Sequence, residues 1–513
     1  MQRSGYQWGL APVIGFIFVN VMLRGKALLV AIVFIVAACN DYEERSVVPA
    51  YRVGQGSDSV VLTVDAYKTS FTRGLLPPDE ADNIAAIWSE GDLVTVLSAN
   101  GEELGTMTPM TTGSASTKLR ATLNSPVNEG DQLTLVFPRM ALDYTGQKGT
   151  LEDIAANYDY ATAQVEVKYV GDSFISATDA HFTNQQAIVK FTLTTSDGGN
   201  RLNATDLTVV YGNNRLDLDD IPATNYTTDP GVLFVALPGF SGQAVTLIAT
   251  VGSDAYIYEK NSVTIDNGGY YGITVKMARA GVNLAKLTSD YEAKNGEVLI
   301  DKLAKNVKIS IAAGAAVTLY DANINGDNKF SNDYAGITCE GDATIKLRGT
   351  NTVRGFGSDY PGIYVPDKSQ LTIAGDGALT VRSKGQGAGI GGGYGSGLSC
   401  GNIQIEGGTI TATGGTYCAG IGGGRGSSCG TINISGGTIK ATGGYGAAGI
   451  GSGGMSGASC GNITITNGVT SVTATKGNNS PHSIGKGYQG SCGTVTIGGT
   501  TGAISDSPYT YKP

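Results

Sequence analysis

Ala419-Gly420-Ile421-Gly422-Gly423-Gly424 leads through a serine-rich turn to Cys429-Gly430-Thr431-Ile432-Asn433-Ile434, then to Gly436-Gly437-Thr438-Ile439-Lys440-Ala441-Thr442. Apolar residues alternate with Thr, Asn and Lys, and glycine separates the runs. Period-two alternation of β-branched residues marks strands buried on one face, and this much glycine disfavours helix. The pattern recurs on both sides. Gly-Ile stands at Gly336-Ile337, Gly362-Ile363, Gly389-Ile390, Gly420-Ile421 and Gly449-Ile450, with the isoleucines 26, 27, 31 and 29 residues apart, and Ser483-Ile484-Gly485 follows. A Cys-Gly pair before alternating apolar residues stands at Cys400, Cys429, Cys460 and Cys492.

No such unit can bury its apolar face alone, so the units must stack. Stacking puts Ile337, Ile363, Ile390, Ile421 and Ile450 in one inward column. Ile403, Ile432 and Ile463 form a second, and Ile405, Ile434 and Ile465 a third. Three strands per coil of about thirty residues predict a right-handed parallel β-helix over residues 283–513. Less regular coils around Val307–Ile311, Val317–Leu319 and Ile345–Leu347 carry its start back to about residue 290. Residues 278–295 then read as a junction.

Upstream, residues 59–277 read as antiparallel sheet. Strand-like runs such as Val60–Val64, Leu93–Leu97, Leu133–Phe137, Ile188–Leu193 and Val245–Ala249 are separated by Gly, Asn, Asp and Pro. Many short strands with turn signals predict β-sandwiches. Strand density drops near residues 138–162, and a boundary close to 170 divides the region into 59–170 and 171–280. The whole chain of 513 residues is therefore expected to be all-β. Its net charge of −9 argues against nucleic acid as a partner, because phosphate binding needs clustered Lys and Arg.

Near the N-terminus, Arg24 and Lys26 precede the apolar run Ala27–Ala38, which ends in Val36-Ala37-Ala38-Cys39. The run is too short to span a bilayer and has the order of a signal peptide. Residues 1–38 are assigned to it, with Met22 as an alternative start. Small residues directly before Cys39 resemble a lipobox, which implies lipid on Cys39 and a flexible tether over 39–58. A plain membrane anchor is the competing reading. Asn40-Asp41-Tyr42-Glu43-Glu44 resembles the surface-export signal of Bacteroides-type lipoproteins, which implies a surface-exposed outer-membrane location.

Two further resemblances follow. Thr72-Arg73, Trp88-Ser89-Glu90-Gly91-Asp92, Tyr158-Asp159-Tyr160-Ala161, His181-Phe182 with Ala187–Phe191, and Asn267-Gly268-Gly269-Tyr270-Tyr271 are together similar to fimbrillin-like proteins. That likeness implies two transthyretin-like sandwiches used in surface pili or adhesins, with other fimbrial subunits as partners. The chain continues for 236 residues beyond Met277, which disfavours a stalk subunit and favours a tip or accessory one. The glycine-rich coils, carried by Ala388–Gly393, Ala419–Gly424 and the Gly-Gly-Thr-Ile-x-Ala-Thr runs, resemble a β-helix module of gut bacterial surface proteins known as carbohydrate-binding. A polysaccharide or host glycan is the ligand class this implies.

Candidate functional residues are few. Cys400, Cys429, Cys460 and Cys492 share one coil position. In-register positions on parallel strands lie about 4.8 Å apart with parallel Cβ vectors, whereas a disulfide wants Cβ atoms about 3.8 Å apart. A ladder of buried free thiols is therefore expected, with disulfides or a metal as alternatives. Asp321, Asn323 and Asn325 look like the first half of a calcium loop, but position twelve is Asn332 and no helix flanks it, so a polar turn between coils is the preferred reading. Only His181 and His482 could act as imidazole bases, and Glu406 stands alone among the regular coils, so no enzyme and no cofactor are expected. Aromatics do recur in the turns. Tyr334, Tyr360, Tyr417 and Tyr445 lie three to five residues before the marker isoleucines. Tyr394, Arg425, Met455 and Tyr488 lie four or five after them. Aromatic faces on a spaced ridge suit sugar rings; shielding of the coil edges, as in a purely structural spacer, is the alternative.

Overall fold

The computed structural model describes residues 60–69, 86–138, 142–325 and 333–513. The signal segment, Cys39 and its tether, Thr72-Arg73 and Asn332 lie outside the described residues. The chain from Ser59 onward forms one compact unit, built around three successive hydrophobic cores.

The first core is enclosed by eight strands between Val61–Lys68 and Ala180–Asn184. Inward residues such as Leu62, Val64, Leu133 and Leu135 alternate with outward ones. Trp88 is fully buried at its centre, edge-on to Phe137 and Phe182 at 5.7 and 5.5 Å. The Trp88–Asp92 motif is thereby explained as packing. Asp92 accepts hydrogen bonds from Ser89 N at 3.0 Å and Lys68 Nζ at 3.1 Å, and the buried ammonium lies about 4 Å over the rings of Trp88 and Phe137. The boundary expected near 170 moves. Phe174–Ala177 and Ala180–Asn184 pair with Val61–Lys68 and Ala161–Val170, and Ile175, Ala180 and Phe182 belong to the first core. The first unit ends close to residue 184.

The second core lies among strands from Ala187–Thr195 to Tyr270–Asn283. The strand-poor gap contains the short helix Leu151–Asn157, whose N-cap Thr150 accepts from Asp153 N. Its apolar face does not rest on the first core. Leu151 and Ile154 pack with Ile188 and Ala236, while Gln147 exchanges two 2.8 Å hydrogen bonds with the Ala236 backbone. The helix thus rivets the end of the first unit to the second.

The third core is the solenoid, and its inward columns match the repeat. Ile337, Ile363, Ile390, Ile421, Ile450 and Ile484 are consecutive in-register partners in parallel strands. Ile403, Ile432, Ile463 and Val495 form the second column, and Ile405, Ile434, Ile465 and Ile497 the third. The marker glycine has a steric cause. A Cβ on Gly420 would sit 2.7 Å from Thr442 N and 2.9 Å from Gly449 O, so any larger residue would force the next coil away. The open end is closed by antiparallel pieces. Thr500–Thr501 hairpins onto Val495–Ile497, Tyr509–Tyr511 covers Ser471–Thr475, and Ile504 bridges Ile484. Each of the three faces therefore ends against a reversed segment.

The start of the solenoid also differs from the expected junction. No linker fills residues 278–295. The single strand Tyr270–Asn283 runs parallel to Ala187–Thr195 through Tyr270–Met277 in the second unit, and its last residues, Gly281–Asn283, pair with Val298–Ile300 of the first coil. Ion pairs reinforce the seam: Arg215 with Asp321 at 2.7 Å, Lys286 with Asp206 at 3.1 Å, and Arg348 with Glu259 at 2.6 Å. Asp321, Asn323 and Asn325 lie on the strand Ala315–Asn325 rather than in a loop. Asp321 turns the corner between two faces at φ 51°, and its carboxylate accepts from Thr350 N and pairs with Arg215. The residues offered as half a calcium loop thus include one carboxylate that is already engaged as seam glue.

Candidate functional site

In the three middle coils the chain loops around the Gly-Ile pair and returns beside itself. Ala388 N donates to Gly392 O, Ala419 N to Gly423 O and Ala448 N to Ser452 O, at 2.9, 2.9 and 3.3 Å. This closed loop brings the residues before the marker isoleucine next to those after it. Gly454 N reaches Tyr417 O at 2.8 Å and Tyr488 N reaches Gly446 O at 2.7 Å. The two rows read from the sequence are therefore neighbours.

Five of the seven candidates meet there. The Arg425 guanidinium lies between two rings, 5.4 Å from the centroid of Tyr394 and 5.2 Å from that of Tyr417. Tyr417 meets Tyr445 edge-on at 5.2 Å. Tyr394, Tyr445 and Tyr488 remain 45%, 44% and 43% exposed, so aromatic surface faces solvent. Tyr417 adopts φ 64° and fits against two glycines: a Cβ on Gly446 or Gly454 would come within 2.9 Å of its ring. The other two candidates differ. Tyr334 tilts against Phe356 at 4.9 Å and packs on the solenoid core. Tyr360 is half-buried and only adjoins the patch through Asp359, whose carbonyl accepts from Tyr394 N at 2.8 Å.

Three polar residues complete the patch and escaped the sequence reading. Arg425 Nη1 donates to Gln386 Oε1, Gln386 Nε2 donates to Asp359 Oδ1 at 3.3 Å, and Asn479 Nδ2 donates to the Tyr445 hydroxyl. A signal existed. Asp359 and Gln386 each stand four residues before a marker isoleucine, as Tyr417 does, and Asn479 stands five before, as Tyr445 does. Chemically, the arrangement offers ring faces, a guanidinium whose charge is met by rings and an amide, and amide and hydroxyl groups. That set can bind a polar ring-shaped ligand by stacking and hydrogen bonding.

Of the other chemistry-bearing groups, Cys418 adjoins the patch beside Tyr417 and Arg425, and the rest lie apart. His181 stacks on Tyr67 at 5.0 Å. His482 accepts from Lys486 N at 3.3 Å, and burial together with Lys486 and Lys476 lowers its pKa. Cys339 and Cys418 are buried thiols pushed up to about 12 by burial. Among the described residues no group of three or more His, Cys, Asp or Glu is arranged to hold a metal, and no helix is long and apolar enough to cross a membrane.

The cysteine row needs a correction. Cys400 and Cys429 form a disulfide, whereas Cys460 and Cys492 are free thiols. Four free thiols would follow from regular strands with parallel Cβ vectors. Cys400 lies outside any named strand, held by single bridges to Pro366 and Cys429, and its Cα comes within 4.5 Å of that of Cys429. This spacing lies within the range that disulfides accept.

A Beta helix repeat family model matches residues 403–425 and 432–454. No curated protein matches the sequence. Among solved structures the chain is similar to a "putative cell adhesion protein" from Bacteroides ovatus, with 13% identity over 42% of this chain and 93% of that one and a TM-score of 0.28. A protein of the same description from Bacteroides uniformis shows 15% identity over 43% and 94%, with a TM-score of 0.25. A fimbrial protein from Bacteroides ovatus shows 11% identity over 43% and 50%, with a TM-score of 0.23. These likenesses fall on the N-terminal part.

Proposed function

We propose that this chain is a cell-surface lipoprotein, anchored in the outer membrane through Cys39, that acts as an adhesin by binding carbohydrate at the patch of Tyr394, Tyr417, Arg425, Tyr445 and Tyr488. The observation that carries the binding reading is Arg425 held between the rings of Tyr394 and Tyr417 on a ridge with two further exposed rings, Tyr445 and Tyr488. In this reading the first two units are transthyretin-like sandwiches that form a stalk, and the solenoid displays the patch. Adhesion is the role named for the Bacteroides proteins above, and we extend it to this chain as part of the proposal. The capped end of the solenoid supports a tip or accessory place in a fimbria over a repeating one. The protein binds its ligand and does not turn it over.

A glycan array on the full chain tests the binding reading. Tyr417→Ala and Arg425→Gln are each expected to weaken a captured glycan by about tenfold, equivalent to about 1.4 kcal/mol, while Tyr334→Phe leaves it unchanged. An array blank for the unmodified protein would leave the solenoid as a spacer. Anchoring has its own test. Cys39→Ser is expected to release the protein from membranes or leave it unprocessed; identical fractionation and mass for variant and parent would rule out the lipid.

A further inference from the structure

The row of cysteines has two rungs with one backbone frame. At the bridged rung, Cys400 N donates to Ser428 O at 2.7 Å and Gly430 N donates to Cys400 O at 3.0 Å. Two coils on, Cys460 N donates to Ser491 O at 3.1 Å and Gly493 N donates to Cys460 O at 2.9 Å. Residue for residue this is the same frame, with a serine before and a glycine after the second cysteine in both, and the pair between them shares it: Gly461 N donates to Cys429 O at 3.0 Å. The frame that places Cys429 within bonding distance of Cys400 therefore places Cys492 beside Cys460. The Sγ atoms of Cys429, Cys460 and Cys492 point alike, 3.7, 3.8 and 3.6 Å from the carbonyls of Gly401, Gly430 and Gly461, whereas Cys400 Sγ lies 3.5 Å from Gly422 O, so the second rung closes when the Cys460 side chain turns as that of Cys400 has.

We infer that Cys460 and Cys492 are a second cross-coil disulfide site, so that the row closes as two bonds, Cys400–Cys429 and Cys460–Cys492, each stapling two neighbouring coils. Cys429 and Cys460 are also in register, but joining them would strand Cys400 and Cys492 at opposite ends of the row. Only the alternating pairing uses all four thiols.

The two thiols of the second rung divide the labour of closing it. Cys492 is half-exposed and Cys460 is buried. An external disulfide can reach only the exposed sulfur, and the neighbouring Cys460 lowers the pKa of Cys492, so Cys492 supplies the attacking thiolate. It attacks an external disulfide, either a small-molecule disulfide or a protein thiol oxidant. One external thiol leaves, and a mixed disulfide remains on Cys492. Cys460 then loses its proton and attacks the Cys492 sulfur, expelling the second external thiol. Two cysteine thiols are oxidised and one external disulfide is reduced to two thiols.

The test uses the full chain, reduced and then treated with glutathione disulfide, alkylated under denaturing conditions and digested with trypsin. Cleavage after Arg425, Lys440, Lys476 and Lys486 puts Cys429, Cys460 and Cys492 on separate peptides, 426–440, 441–476 and 487–513. The expected product links 441–476 to 487–513, alongside a link between 385–425 and 426–440. In Cys460→Ser, glutathione should accumulate on peptide 487–513. In Cys492→Ser, the Cys460 peptide should take up none and be recovered alkylated. Recovery of both second-rung peptides alkylated from the unmodified chain, or a link between 426–440 and 441–476, would overturn the pairing. The outcome depends on coil geometry alone and is independent of whether a glycan binds.

Discussion

Ile421→Asp is expected to unfold the middle of the solenoid while leaving the two preceding units intact. Ile421 is fully buried between Ile390 and Ile450 in the first inward column. Above and below it are isoleucines, so a carboxylate there meets no cation and no donor side chain. The substitution removes a packed side chain and buries a charge or a neutral acid without partners, at a cost of about 5 kcal/mol. Solenoid coils contact only their neighbours, so the damage passes to the adjacent coils and stops at a separate core. Thr411→Asp is the control. Thr411 faces outward from the strand Thr409–Thr413, between the buried Ile410 and Ala412, and a surface change there costs within about 0.5 kcal/mol. Limited proteolysis separates the two: the Ile421 variant should lose fragment 283–513 while residues 59–277 stay resistant, and the Thr411 variant should keep both. Equal resistance would mean that the inward and outward faces have been exchanged.

The contrast between those two positions also marks what was legible in the sequence. A residue that stacks on its own equivalent in the next coil leaves a periodic trace, so Ile421, Ile432 and Ile434 could be placed before any coordinates. Long-range pairings between unlike residues leave none. Ile175 and Phe182 belong to the first core because their strands return to Val61–Lys68, more than a hundred residues earlier, and no local pattern records that return. The helix Leu151–Asn157 is too short for its apolar positions to establish a period. The functional patch sits between these cases. Its aromatics were readable from their offsets, but that the row before each isoleucine lies beside the row after it depends on loop closure by backbone hydrogen bonds. Backbone atoms carry no sequence signature. The disulfide was missed for a related reason: regular strand spacing was applied to Cys400, which is not in a strand.

Gly281→Ala is expected to pull the solenoid away from the unit that carries it. Gly281 lies where the strand Tyr270–Asn283 passes from one to the other, paired with Ala255 on one side and Val298 on the other. A Cβ at this position would sit 2.0 Å from Val298 O and 2.4 Å from Val298 N. Both are backbone atoms of the first coil, so no side-chain rotation relieves the contact and the pairing itself must open. Overpacking of this kind costs about 3 kcal/mol. The same strand supplies the control: a Cβ on Gly272 would meet nothing within 4 Å, and Gly272→Ala should change stability by about 0.5 kcal/mol or less. Hydrogen exchange reads the difference. The amides of Val298 and Ile300, which face the shared strand, should lose protection in the Gly281 variant, while those of Ile432 and Ile463, far along the solenoid, keep theirs. The ion pairs of Arg215, Lys286 and Arg348 across the same seam give a second readout, since high salt should deepen the loss of protection in the Gly281 variant and leave the Gly272 variant unmoved. Protection at Val298 and Ile300 that survives Gly281→Ala would show that the shared strand is not what joins the two, and that the solenoid is carried by those side-chain contacts alone.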